Sequence, residues 1–235
     1  MDKTEHPGQK PIVLGVETSS LDCGVALARA GRVVGELLLS TEEPTSERLV
    51  HLIDFLLRQS GLAVLDLSAF AVSIGPGSFT GLRVGLSTVK GLCHSTSKPL
   101  LTVPTLDALA FAVPYARHTV CPMIDARRGE VYTALYRTAS GVLEKLSSYL
   151  ALEPSKLLAS IREETLFLGD GADNYREQIV GTLGEKAHFL ALNPRTARAG
   201  AVALIGASKL ERGETEEPDL VEPLYLRPSQ AELKL

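Results

Sequence analysis

Apolar residues recur along the chain with two different periods. Residues 11–17 (PIVLGVE), 22–30 (DCGVALARA) and 32–40 (RVVGELLLS) are short β-rich runs separated by TSSL and by a tight Ala30-Gly31 turn, which predicts an antiparallel meander. From Ser46 to Gln59 the spacing becomes helical. Leu49, Leu52, Ile53, Leu56 and Leu57 share a face, Thr45 or Ser46 can cap the amino end, and Gly61 stops the helix. A buried strand at 67–74 leads through GPGSFTG into a second helix at 80–96, followed by a strand at 100–103 and a helix at 105–113.

The second half repeats the order with decay. Residues 120–126 and 130–138 read as a hairpin, and GVLEKLSSYL extends the sheet after a turn at Ser140-Gly141. A helix follows Pro154, a strand occupies 165–168, another helix begins near Ala172, and the Ala-rich segment 196–212 is helical ahead of a Pro-rich tail. Three strands, helix, strand, helix, written twice, predicts two related α/β lobes around a cleft, each a mixed sheet flanked by helices. The expected lobes are residues 11–103 and 104–228, with the terminal helix free to pack back on the first.

Composition narrows the function classes. At 235 residues, 45% hydrophobic and 22% charged, the chain has ample core material. Its net charge of −4, without any cluster of Lys and Arg, is not the footprint of a stand-alone nucleic-acid binder. The polar start MDKTEHPGQK and the lack of an apolar run long enough to span a bilayer predict a cytoplasmic protein with no membrane attachment. Cys23, Cys93 and Cys121 are odd in number and far apart, which predicts buried reduced thiols. The five histidines show no HxxxH or HxxH pairing, so no three-ligand metal group and no cofactor are expected.

The most specific stretch is Gly75-Pro76-Gly77-Ser78-Phe79-Thr80-Gly81-Leu82-Arg83-Val84-Gly85. Glycines permit backbone angles closed to other residues, Ser78 or Thr80 can cap the helix, and a strand-to-helix turn of this kind can hold an anion on free N–H groups. The Lys of a Walker loop is absent. As a string, GPGSFTGLRVG resembles the signature of the TsaB/YeaZ family, and GVETSSLDCGVAL, IDARRGEVY (124–132) and FLGDGADNY (167–175) agree with it in order. The resemblance spans about residues 11–228, with one departure where a common His-Ser-Glu helix start reads Thr45-Ser46-Glu47.

The resemblance implies the two-lobed fold of the actin, sugar-kinase and heat-shock-chaperone (ASKHA) superfamily. It implies a non-catalytic scaffold for a TsaD-like transferase, which places threonylcarbamoyl on the adenosine beside the tRNA anticodon. A TsaE-like ATPase is an implied further partner, a homodimer forms without TsaD, and tRNA is met only through the complex. Aligning the metal-binding V-N-H-L-E-G-H pattern of TsaD on residues 103–109 puts its two histidines at Thr105 and Leu109, so those ligands are missing. The alternative is a sugar or acyl kinase or another ATPase of this fold, which needs an intact phosphate hairpin, and Asp125-Ala126-Arg127-Arg128-Gly129-Glu130 has one glycine in that position. A vestigial nucleotide or anion site is expected at Glu17, Gly75, Gly77, Ser78, Arg127, Gly169 and Gly171, with no catalytic residue. The implied partner interface lies on the first two helices, at Leu49, Phe55, Gly81, Leu82, Gly85 and Cys93, where Gly81 and Gly85 leave a strip for close helix approach.

Overall fold

The computed structural model describes residues 10–40, 45–139, 142–191, 194 and 196–227. Its first sheet opens with the meander β1 (Ile12–Glu17), β2 (Asp22–Arg29) and β3 (Arg32–Ser40), all antiparallel neighbours. The β2–β3 turn is tight because Ala30 and Gly31 both take positive φ, the handedness that matches the twist of a hairpin. Helix α1 (Thr45–Gln59) then returns to pack on β2, so Thr45 is a helical residue and the cap position before it lies outside the described residues. Strand β4 (Ala69–Gly75), helix α2 (Phe79–Thr96) and strand β5 (Leu100–Pro104) complete the lobe, giving the order β3-β2-β1-β4-β5 with β1, β4 and β5 parallel.

Helix α3 (Thr105–Ala110) crosses to the second sheet. That sheet contains β6 (Thr119–Asp125), β7 (Val131–Thr133), β8 (Tyr136–Ala139), β9 (Val142–Lys145) and β10 (Leu150–Leu152). Helix α4 (Pro154–Ser160) leads to β11 (Thr165–Leu168), and helices α5 (Asp170–Asn174) and α6 (Arg176–Leu183) lead to β12 (Ala187–Phe189). The order is β10-β7-β6-β11-β12, with β8 on the amino half of β6 and β9 beyond it. The single strand expected at 130–138 is thus two, because Leu135 bonds to the 146–147 turn instead of the sheet: its N–H donates to Ser147 Oγ and its carbonyl accepts from Leu146.

The last helix, α7 (Ala199–Glu211), lies on the first sheet, not the second. A Cβ on Gly15 of β1 would sit 2.5 Å from the backbone nitrogen of Ala203, so only glycine lets the helix approach that strand. The core between the lobes is continuous, joining Val13, Ala26 and Ala71 to Leu106, Leu109, Tyr136 and Leu168 through Ala199 and Ala203. Two lobe cores flank it. One packs α1 and α2 on β1, β2 and β4; the other gathers Met123, Leu157, Phe167 and Ile179.

Candidate functional site

At the carboxyl end of β1, Glu17 is only 1% exposed. Its Oε1 accepts the Ser19 N–H at 2.6 Å, while Oε2 is buried without a hydrogen-bond partner. Burial pushes its carboxyl up from 4.5 to about 6, partly offset by the bonds from Ser19.

The GPG turn packs on the loop that follows Glu17. The Ser78 N–H donates to the Ser19 carbonyl at 2.6 Å, and the Ser78 hydroxyl caps α2 by accepting the Gly81 N–H at 3.3 Å. A Cβ on Gly77 would overlap the Ser19 carbonyl, one on Gly81 the Thr18 carbonyl, and one on Gly85 the Thr18 hydroxyl. Gly77 in the turn and Gly81 and Gly85 on one side of the helix let α2 lie against backbone 18–19. Of the N–H groups at this turn, those of Ser78 and Gly81 are engaged by the chain itself.

The carboxyl-terminal tail covers the same turn. Leu224 N–H donates to Ile74 O at 2.7 Å, and a Cβ on Gly75 (φ 113°) would sit 2.8 Å from the Leu224 carbonyl. Tyr225 stacks on Phe79 with centroids 5.0 Å apart, and Arg83 lies over the Phe79 ring while its Nε donates to the Tyr225 hydroxyl at 3.0 Å. Two residues on, Arg227 pairs with Glu130 in the β6–β7 turn, so the tail bridges the lobes.

In the second lobe, Asp170 Oδ1 accepts N–H groups of Asp125 and Gly171, and Asp125 accepts from Arg127 N–H and Asn174 Nδ2. A Cβ on Gly169 or Gly171 would meet the Met123 carbonyl, so these glycines serve close packing of α5 on β6. Arg127 and Arg128 hold positive φ beside Gly129, a conformation costly for residues with a Cβ. The seven expected site residues therefore form two groups. Glu17, Gly75, Gly77 and Ser78 lie in one lobe, Arg127, Gly169 and Gly171 in the other, and the tail links them.

The expected interface is corrected at five of its six positions. Leu49, Leu82 and Cys93 are at most 2% exposed, and Gly81 and Gly85 face Thr18, so all five lie inside the lobe and offer no surface to a partner in this fold. Phe55 alone, 53% exposed, faces out. Around it are features that spacing did not reveal: a depression of about 480 Å³ lined by Leu39, Glu47, Arg48, His51, Leu52 and Phe55, with Val50 exposed nearby on α1. Strand β3, the edge of its sheet, has no fully buried residue and exposes Val33 and Val34.

The expectation of no three-ligand group is also corrected. His118 and His188 stack with centroids 4.2 Å apart, and Glu164 lies beside both, because neighbouring strands join residues that no local motif connects. The cysteines are buried and free, with burial pushing Cys23 and Cys93 up to about 11 and Cys121 to about 12, so none is a thiolate at neutral pH.

The model of the family described as TsaD, tRNA N6-adenosine threonylcarbamoyltransferase, matches residues 40–235. The tRNA threonylcarbamoyladenosine biosynthesis protein TsaB of Bacillus subtilis is 31% identical over 225 residues, covering 94% of this chain and 96% of that one. The chain belongs to the TsaB/YeaZ family. The solved YeaZ structure from Pseudomonas aeruginosa superposes with a TM-score of 0.79 at 28% identity, covering 92% of this chain and all of that one. The ethanolamine utilization protein EutJ from Carboxydothermus hydrogenoformans, at 13% identity and a TM-score of 0.56, covers 86% of this chain and 92% of its own and shares the ASKHA fold alone. Within the TsaB fold, Thr105 and Leu109, where the resemblance put the transferase's histidines, are both buried on α3, and Leu109 belongs to the core between the lobes. Among the described residues no helix is long and apolar enough to cross a membrane.

Proposed function

We propose that this TsaB-family chain is a non-catalytic cytoplasmic subunit required by a TsaD-like transferase to make threonylcarbamoyladenosine in tRNA. The observation that carries this reading is the closed GPG turn. The Ser78 N–H is spent on Ser19, and the tail crosses Gly75 on its way to Glu130. A phosphate would have to displace the chain's own backbone there, which argues against the kinase and ATPase readings. The B. subtilis relative's name supports the pathway. The net charge of −4 supports contact with tRNA through partners and not alone.

Docking uses the exposed α1–β3 surface around Phe55, Val50 and Leu39, for TsaD and, in its absence, for a second copy of the chain. A specific interface there would cover about 800 Å² per partner, with Phe55 among its central anchors. The test is reconstitution. The purified chain alone should neither turn over ATP nor modify tRNA. Transfer should appear only when a TsaD-like subunit, a threonylcarbamoyl-adenylate synthase and a TsaE-like ATPase are added, and the chain should co-purify with the TsaD-like subunit. Transfer by the chain alone, or full transfer without it, rejects the proposal.

A further inference from the structure

Three side chains converge where β6 and β11 begin, at the end of the second sheet opposite the turns at Asp125 and Gly169. His118 immediately precedes β6, Glu164 immediately precedes β11, and His188 is the middle residue of β12. The three strands run parallel with β11 in the middle, and Thr165 pairs with both Thr119 and Ala187. One residue back, Glu164 falls beside His118. One residue forward, Leu166 pairs with His188, on the face Glu164 shares, because alternate residues of a strand point the same way. His118 Nδ1 lies 3.0 Å from Glu164 Oε2, His188 Nε2 lies 3.9 Å from the same oxygen, and the three ligand atoms fall within 4.8 Å of one another.

We propose that His118, Glu164 and His188 bind a divalent transition-metal ion of the zinc type. A tetrahedral ion with its usual bond lengths holds its ligand atoms about 3.3 Å apart, so the 3.0 and 3.9 Å separations from Glu164 need to change by about half an ångström and the one between the histidines, which lies within 4.8 Å, by up to about 1.5 Å. The half-exposed Glu164 carboxylate and a tilt of the stacked imidazoles can supply these changes.

A second observation points the same way. The Nε2 atom of His188 is buried and has no hydrogen-bond partner, a condition proteins rarely leave unfilled, and it faces the carboxylate oxygen that His118 also meets. The neighbouring Glu163 is already engaged, accepting from Thr119 Oγ1 at 2.5 Å and lying 3.6 Å from Arg137. Glu164 is thereby left to the histidines.

The donor set selects the ion. Two imidazoles and one carboxylate suit zinc and its first-row neighbours, whereas magnesium and calcium take oxygen ligands. Arg117 and Arg137 line the adjoining depression of about 290 Å³ and would oppose a cation held by charge alone. His118 and Glu164 line that depression, from which water can reach an ion they hold. Bound there, the ion ties the three-residue edge strand β12 across β11 to β6.

The experiment uses untagged, chelator-treated full-length protein titrated with zinc by calorimetry. One equivalent is expected to bind. Removing a ligand should cost at least the roughly 10- to 100-fold that loss of a ligand's outer-shell partner costs, so Glu164→Gln and His188→Ala should each weaken binding by that much. His51→Ala, on the exposed side of α1, should leave affinity unchanged. Independently of any variant, zinc should shift the imidazole resonances of His118 and His188 and leave those of His51 in place. No saturable zinc binding, equal affinity in wild type and the His188→Ala, Glu164→Gln double variant, or resonance shifts confined to other histidines would overturn the proposal.

Discussion

Replacing Glu17 by Gln should stabilise the folded chain above pH 6 and change little at pH 4.5. Glu17 is buried, one oxygen accepts the Ser19 N–H, and the other has no hydrogen-bond partner. Burial raises the carboxyl from 4.5 to about 6, so between those values the folded state holds a proton that the unfolded state has lost. The contribution of Glu17 is therefore fully present below pH 4.5 and is lost as pH rises through 6. The rise from 4.5 to about 6 corresponds to about 2 kcal/mol, or roughly 4–8 °C in Tm for a chain of this size. Gln keeps the shape and the acceptor for Ser19 without the charge. Urea unfolding of both proteins at pH 4.5, 6 and 8 in the presence of EDTA, which keeps cations from pairing with the carboxylate, gives the difference directly. Glu36, Glu153 and Glu214, which hydrogen bonds and ion pairs hold below 4.5, are common to both proteins and cancel. A variant-minus-wild-type difference that stays flat from pH 4.5 to 8 would refute the argument. A less stable variant at pH 8 would show that some partner holds the ionised carboxylate more strongly than burial opposes it.

The glycines of α2 should separate by what faces them. Gly81→Ala and Gly85→Leu, which drive side chains into Thr18, should each cost about 1–3 kcal/mol or more in urea unfolding. Gly91→Ala, with nothing within 4 Å of the added methyl, should gain about 0.5–1 kcal/mol. Phe55→Glu should leave the unfolding midpoint within about 0.5 kcal/mol of wild type, because the ring is already exposed, while abolishing co-elution with a TsaD-like partner in size-exclusion chromatography. Co-elution at wild-type affinity would move the interface away from α1.

The first lobe was legible in the sequence because its elements carry periodicity of their own. The meander, the α1 stripe and the strand before GPG are long enough for burial to impress a pattern on them. Strand β12 was missed because three half-buried residues, Ala-His-Phe, show no period, and the break between β7 and β8 depends on Ser147, twelve residues beyond Leu135. The GPGSFTGLRVG glycines expose a deeper limit. Their spacing marks a face that something approaches closely, and what approaches in this fold is Thr18 and Ser19 of the same chain. An absent side chain records the need for space and carries no label for its occupant. The metal-ligand group fails to show for the complementary reason. His118, Glu164 and His188 each look ordinary where they stand, and their meaning resides in the parallel register of three strands that only the fold assembles. Local pattern therefore reports the demands one segment makes on its surroundings, whereas chemistry shared among segments becomes visible only once topology has decided which segments are neighbours.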